Sequence, residues 1–251
     1  MPEGPALAPA PGTLWRVHKQ AYGPLNPPPR DGDPDENWSR FDIAGFATLY
    51  GGVNELTAYE ESLAYARVES EEYEGLFDDE DVESVSEQWA RLGHMNEQHM
   101  PAQWRAVRSL SSFGPKRGED LTIIDVGNGD TLAYLRATMD QWAVRLQPFL
   151  PTDLDVSSIT GSDRRLTCAV AWWLQRHTLP DGRRPDGLRY NSRHGTDMEC
   201  YALWVDLGNY PAGTPIADAV ESVYERSETR AIEWHDDELK RAAHRLRLVV
   251  H

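Results

Sequence analysis

Aromatic and β-branched residues alternate with polar ones in "TLWRVHK" (13–19), which predicts a strand. "FATLYGG" (46–52) predicts a second strand, closed by two glycines. The period then changes. In "NELTAYEESLAYARVES" (54–70), Leu56, Tyr59, Leu63 and Ala66 follow helical spacing, with Asn54 or Thr57 placed to cap the helix. The mixed stretch 85–110 reads as helical. "DLTIIDVGNGD" (120–130) gives a short apolar strand and a turn, and 131–150 a helix ended before Pro151. "SDRRLTCAVAWWLQRH" (162–177) is another helix, with Ser162 and Asp163 as cap candidates. "GLRYNSRHGTDMECYALW" (187–204) reads as a strand, a tight polar break and a second strand. Residues 214–227 look helical. The tail "DDELKRAAHRLRLVVH" sets acids first and bases last, which suits a helix dipole. Strands at both ends of the chain with helices between them predict a mixed α+β fold.

Composition narrows this picture. The 251 residues include nine Trp and ten Tyr and are 40% hydrophobic, enough for a sizeable core. Residues 23–38 are Pro, Gly and Asp and predict a loop. "MPEGPALAPAPG" lacks the basic start and apolar core of a signal peptide, and its Pro and Ala predict a floppy arm over 1–12. No apolar run approaches about 18 residues, so no spanning helix is expected. Two cysteines, Cys168 and Cys200, are too few for a disulfide framework and read as reduced, part-buried thiols of a cytosolic protein.

The net charge of −16 argues against a general nucleic-acid or membrane binder, since phosphate contacts need Lys and Arg. It leaves room for a basic partner, or for local basic pockets in an acidic shell. Residues 69–83 hold nine acids and no base, a self-repelling solvated run.

Several local motifs carry little. In "HMNEQHM" (94–100) the histidines are five apart and Met95 stands where a zinc-protease glutamate belongs, so no metal is expected. "GNGD" (127–130) lacks the third glycine of a dinucleotide fingerprint and reads as a turn. Ser192 and His194 sit two apart, a weak Ser/His hydrolase pair without a positioned acid or a G-x-S-x-G elbow.

Polar residues dispersed along the chain carry more. Arg16 interrupts the apolar strand "LWRV", Arg40 precedes Phe41, and Glu60 and Glu61 sit side by side on a helix with an apolar face. Each alone reads as a surface residue or a core-edge ion pair. They occur together with Tyr50 and the break "YNSRH", which holds Tyr190, Ser192, Arg193 and His194.

In that order, "LWRVH", "RFD", "LYGGVNELTAYEES" and "DGLRYNSRHG" resemble the RES-domain family, named for an arginine, a glutamate and a serine. The resemblance covers 13–67 and 162–205. It places Glu61, not Glu60, at the family's glutamate, and the two differ by about 100° around a helix. It implies a fold similar to ADP-ribosyltransferases, with two β-sheets packed together, helices around them and a cleft between. It implies a toxin of a bacterial toxin–antitoxin pair that consumes NAD, by hydrolysis, by phosphorolysis or by transferring ADP-ribose to a protein acceptor. An antitoxin with a helix-turn-helix region is the implied partner, and a homodimer is left open.

The chemistry fits those residues. Arg16 and Arg40 suit the NAD pyrophosphate through permanently charged, planar forks. Glu61 suits the oxocarbenium-like ribose formed when nicotinamide leaves. Tyr50 can stack on a flat ring or bond to the ligand, and Ser192 is a positioning group rather than a nucleophile. Catalysis is thus expected from Glu61, Arg16 and Ser192, and NAD binding from these with Arg40 and Tyr50. Tyr190 and Arg193 are weaker candidates. The domain organisation expected is a single domain over 13–251 with an insertion at 68–161. The competing expectation is a non-catalytic, acidic interaction protein on the same fold, acting through 69–83.

Overall fold

The computed structural model describes residues 4–35, 37–66, 99–146 and 154–251. Within them eight strands form one sheet. In chain order they are β1 (Leu7–Ala8), β2 (Leu14–Lys19), β3 (Phe46–Gly52), β5 (Arg108–Pro115), β6 (Ile123–Asp125), β7 (Gly187–Ser192), β8 (Gly195–Asp206) and β9 (Tyr224–Ala231). Their spatial order is β1-β6-β7-β8-β3-β2-β5-β9. A two-stranded parallel sheet joins β4 (His99–Met100) to β10 (Val249–Val250). Helices α1 (Glu55–Leu63), α2 (Ala102–Ala106), α3 (Gly129–Ala137), α4 (Met139–Trp142), α5 (Val156–Thr160), α6 (Arg164–Gln175), α7 (Ile216–Val223) and α8 (Asp237–Leu246) pack around these sheets. The mixed α+β class is the expected one.

The large sheet is almost severed in its middle. β3 pairs with β8 over seven residues and β2 with β5 over six, but β2 and β3 share one pair, Trp15 with Gly52. The two halves of the sheet thus meet at a single ladder pair. The second glycine of "YGG" lies at that pair. A Cβ on Gly52 would stand 2.6 Å from the Thr57 methyl, so this glycine lets the first turn of α1 press against the strand. Asn54 caps that turn, its Oδ1 accepting from Thr57 N at 2.8 Å.

Three apolar clusters hold the halves and helices. One joins Phe41, Trp142, Val170, Leu188, Tyr190 and Trp204 beneath α6. Another packs α1 on α8 through Tyr59, Leu63, Leu239 and Leu246. The third covers the other side of the sheet with Leu14, Leu49, Phe113 and Leu203.

Several expectations need correction. The helix expected over 85–110 does not reach its end: residues 108–110 open the strand β5 (Arg108–Pro115), both of whose faces are buried, and its small serines bond laterally instead of alternating. Ser111 Oγ meets His18 Nε2 at 2.9 Å and Thr229 Oγ1 at 2.7 Å. β5 and β6 both fall inside 68–161 and pair within the large sheet. The arm is not wholly loose either, since Leu7 and Ala8 pair with Ile124 and Ile123. The helix expected at 214–227 stops at Val223, and β9 follows as a charged edge strand on β5. The helix expected at 131–150 begins earlier, at Gly129 behind an Asn128 cap, and breaks at Thr138. The acidic run 69–83 lies outside the described residues.

Candidate active site

The five expected residues arrive from five separate pieces of chain. β2 carries Arg16, the segment after the Pro-rich loop carries Arg40, β3 carries Tyr50, α1 carries Glu61 and the end of β7 carries Ser192. α6 contributes a residue the sequence reading did not single out, Arg164.

Glu61 is the meeting point. Ser192 Oγ donates a short hydrogen bond to Glu61 Oε1, and Arg40 Nη2 stands 3.9 Å from Oε2. Ser192 is held from the other side by the backbone N–H of His194, at 3.1 Å, across the two-residue turn between β7 and β8. The Ser192 proton is thus directed at a carboxylate, and the bond to His194 runs through the main chain. This fits a positioning hydroxyl better than a nucleophile with an imidazole base.

Glu60 and Glu61 separate as helical geometry requires. Glu60 points away from Ser192 and is buried against Arg245, whose Nη1 donates to its Oε1 at 3.1 Å. Burial pushes the Glu60 carboxyl above its ordinary range, and Arg245 opposes that.

Arg40 is 8% exposed. Its guanidinium carbon lies 4.9 Å from the Tyr190 ring centroid, and Nη1 donates to Thr160 O at 3.3 Å. Tyr190, a weaker candidate in the sequence, is therefore the platform under Arg40, with Phe41 packed at 4.9 Å on the same ring.

Asp42 anchors the neighbouring half of the site. It is 2% exposed and accepts from Arg30 Nε at 2.6 Å, Ser39 N at 2.9 Å and Tyr50 Oη at 2.8 Å. Tyr50 Oη in turn accepts from Phe41 N at 3.0 Å. Burial foremost, and then Asp42, hold the Tyr50 phenol well above its usual pKa, so it stays a neutral donor at pH 7. Cys168 Sγ and Trp204 Nε1 fasten the same segment by bonds to Ser39 O and Phe41 O, at 3.4 and 2.9 Å.

Arg16 lies on β2 opposite Ser111 of β5, within electrostatic range of Asp42 and Tyr50. Burial lowers its pKa to about 10, with Asp42 and Tyr50 opposing; it remains charged at neutral pH. Its Nη1 is buried with no hydrogen-bond partner among the described residues. Arg164 has two such atoms, Nε and Nη1.

The structure thus brings Glu61, Ser192 and Arg40 into one contact network. It sets Tyr50 in a second, adjoining network with Asp42, with Arg16 charged beside it. Asp42 was quoted in "RFD" without a role, and its signal was an acid flanking a buried aromatic. Arg193 Nε meets His194 Nε2 at 3.4 Å, in the turn itself. A separate cavity of about 380 Å³ opens beside the start of α1, lined by Trp15, Thr57, Asp197 and Arg245 among others, and by none of the five expected residues. Among the described residues no group of three or more His, Cys, Asp or Glu is arranged to hold a metal, and no helix is long and apolar enough to cross a membrane.

Fold and site together define an α+β protein in which a glutamate, a serine and an arginine meet in one contact network beside a tyrosine–aspartate network. A family model described as RES domain matches residues 13–221, and the chain belongs to that family. The RES domain is known as an NAD-related toxin domain. No curated protein and no solved structure matches the chain.

Proposed function

We propose that this chain is an NAD-cleaving toxin that breaks the bond between nicotinamide and ribose. The observation carrying the proposal is the Glu61 carboxylate, fixed by the Ser192 hydroxyl and faced by Arg40 inside an arginine-rich cluster. In the reaction the C1′–N bond breaks and its electron pair stays on the pyridinium nitrogen, which leaves as neutral nicotinamide. The ribose carbon becomes oxocarbenium-like, and Glu61 stabilises that charge while Ser192 fixes the carboxylate. Water adds to C1′ and releases a proton, giving ADP-ribose. Inorganic phosphate adding at the same carbon gives ADP-ribose 1-phosphate, and a protein side chain adding there gives an ADP-ribosylated acceptor. Arg16 and Arg40 hold the diphosphate, and the neutral Tyr50 phenol offers a ring face or a hydrogen bond.

The partner proposed is an antitoxin with a helix-turn-helix region that covers this site. Expression in a bacterial host tests the reading. Wild type should arrest growth and drain cellular NAD, whereas Glu61→Ala and Arg16→Ala should do neither. Equal arrest by wild type and both variants, with NAD unchanged, would refute it.

A further inference from the structure

The C-terminal segment grips α1 at three polar side chains. Arg230 of β9 donates to Glu55 at 2.6 Å. Tyr59 Oη donates to Asp236, the N-cap of α8, at 2.8 Å. Glu60 accepts from Arg245, in the last turn of α8, at 3.1 Å. Packing of Tyr59 and Leu63 on Leu239 and Leu246 joins the same two helices. The family match ends at residue 221, so β9 and α8 both lie beyond it.

Arg245 reaches further than α1. While Nη1 holds Glu60, Nη2 donates to Asp197 Oδ2 at 3.2 Å. Asp197 lies near the start of β8, two residues past Gly195, which is the register partner of Ser192. Asn191 stiffens this hairpin, its Nδ2 donating to Thr196 O at 2.7 Å. Glu60 directly precedes Glu61. One guanidinium therefore spans the two elements that meet in the Glu61–Ser192 bond. Without it the joint is repulsive. Glu60 is 2% exposed, Asp197 acts on it as a like charge, and Arg245 supplies the opposite charge to both. The Asp197 side chain is 66% exposed, so as a surface pair it adds little stability. What it does add is a tie between hairpin and helix.

We propose that Arg245 is a positioning residue, which braces α1 against the β7–β8 hairpin and so fixes the separation at which Glu61 meets Ser192. This role deepens the NAD-cleaving reading and rests on it for the rate, not for the geometry. In that reading Arg16, Arg40 and Tyr50 hold NAD, so loss of the brace falls on kcat and spares KM. The brace needs an acceptor oxygen at position 60 rather than a charge, and Glu60→Gln keeps one.

The test uses the full chain as wild type, Asp197→Ala, Arg245→Met, Arg245→Lys and the double variant Asp197→Ala/Arg245→Met. NAD cleavage is measured well below the unfolding midpoint of each, with hydrogen exchange of residues 55–63 and 192–197 in parallel. Asp197→Ala should keep the midpoint within about 2 °C of wild type. It should still lower kcat at least about threefold, with KM unchanged within about twofold. Arg245→Met should lower kcat about tenfold or more, and Arg245→Lys, whose ammonium reaches one acceptor at a time, should fall between it and wild type. The double variant should be no slower than Arg245→Met, because the two substitutions share one bond. Exchange in Arg245→Met should quicken in both segments together and not in β3. Unchanged kcat in Asp197→Ala and Arg245→Met, with only the midpoint lowered, would mark these pairs as structural and overturn the proposal. A rise in KM alone, or additive losses in the double variant, would also overturn it. If wild type releases no nicotinamide, the NAD-cleaving reading fails and exchange decides. Quickening of both segments together then sustains the brace, and quickening of α1 alone, or of neither, overturns it.

Discussion

Asp42→Asn is the substitution that should damage this protein most for the fewest atoms changed. The Asp42 side chain is 3% exposed, so water offers it little compensation. It accepts from Arg30, Ser39 and Tyr50, and it is the carboxylate that opposes the burial cost of Arg16. With its oxygen at the Oδ2 position, asparagine can still accept from Arg30 Nε and Ser39 N, but its amide nitrogen then faces the Tyr50 hydroxyl, which loses its acceptor, and the Arg16 and Arg30 charges lose their counterion. Breaking a buried pair from one side costs about 3–5 kcal/mol. For a domain of this size, at roughly 2–4 °C per kcal/mol, the unfolding midpoint should fall by about 10 °C. Thermal and urea unfolding followed by circular dichroism measure this, with Asp181→Asn as a control at the exposed pair with Arg183, where the midpoint should not move. Tyr50→Phe closes a double-mutant cycle, and the two substitutions should be non-additive because they share a bond. A loss below about 1 kcal/mol, or full additivity, would show that Asp42 does not anchor the site.

Three further outcomes follow from the same geometry. Gly52→Ala should cost about 1–3 kcal/mol, because the new methyl meets the buried Thr57 side chain where the halves of the sheet meet; denaturant midpoints measure it, and Gly127→Ala, where a Cβ meets only the Asp125 side chain at 3.8 Å, should be milder. Glu61→Gln should lower the rate of NAD cleavage about 100-fold or more, while Glu60→Gln, on the far side of α1 against Arg245, should leave that rate unchanged. Burial lowers the pKa of both His18 and His177 below 6.5, so the unfolded chain binds more protons as pH falls through that value. Their stabilising contribution is present above pH 6.5 and is lost as pH falls from there through their lowered folded-state pKa values; unfolding midpoints should drop over that window, and less so in His177→Asn.

Sequence patterns were informative where one periodicity ruled. β2, β3, the start of α1, α6 and the β7–β8 pair follow from alternation, helical spacing or caps. β5 did not, because "RSLSSFGP" buries serines on both faces and shows neither period. β9 did not, because "ERSETR" is an edge strand with an exposed, charged surface that also suits a helix. Both depend on pairing with distant strands. The site divides similarly. Tyr50, Glu61 and Ser192 stood in recognisable motifs, and the choice of Glu61 over Glu60 matches the contact with Ser192. The role of Asp42 required knowing that Tyr50 and Arg30 converge on it. Arg164 could have been suspected from a basic residue placed just after a helix cap, against the dipole, but that two of its nitrogens lack partners among the described residues is a fact of tertiary packing.

The most direct test is nicotinamide release from NAD by purified protein, resolved by chromatography, with and without phosphate and beside Glu61→Gln. The account predicts release by wild type that Glu61→Gln largely abolishes, with ADP-ribose binding retained in the variant. Phosphate dependence of the rate then separates phosphorolysis from hydrolysis. Release that is undiminished in Glu61→Gln, or absent in wild type even with cell lysate added to supply an acceptor, would contradict the assignment of this cluster as an NAD-cleaving site.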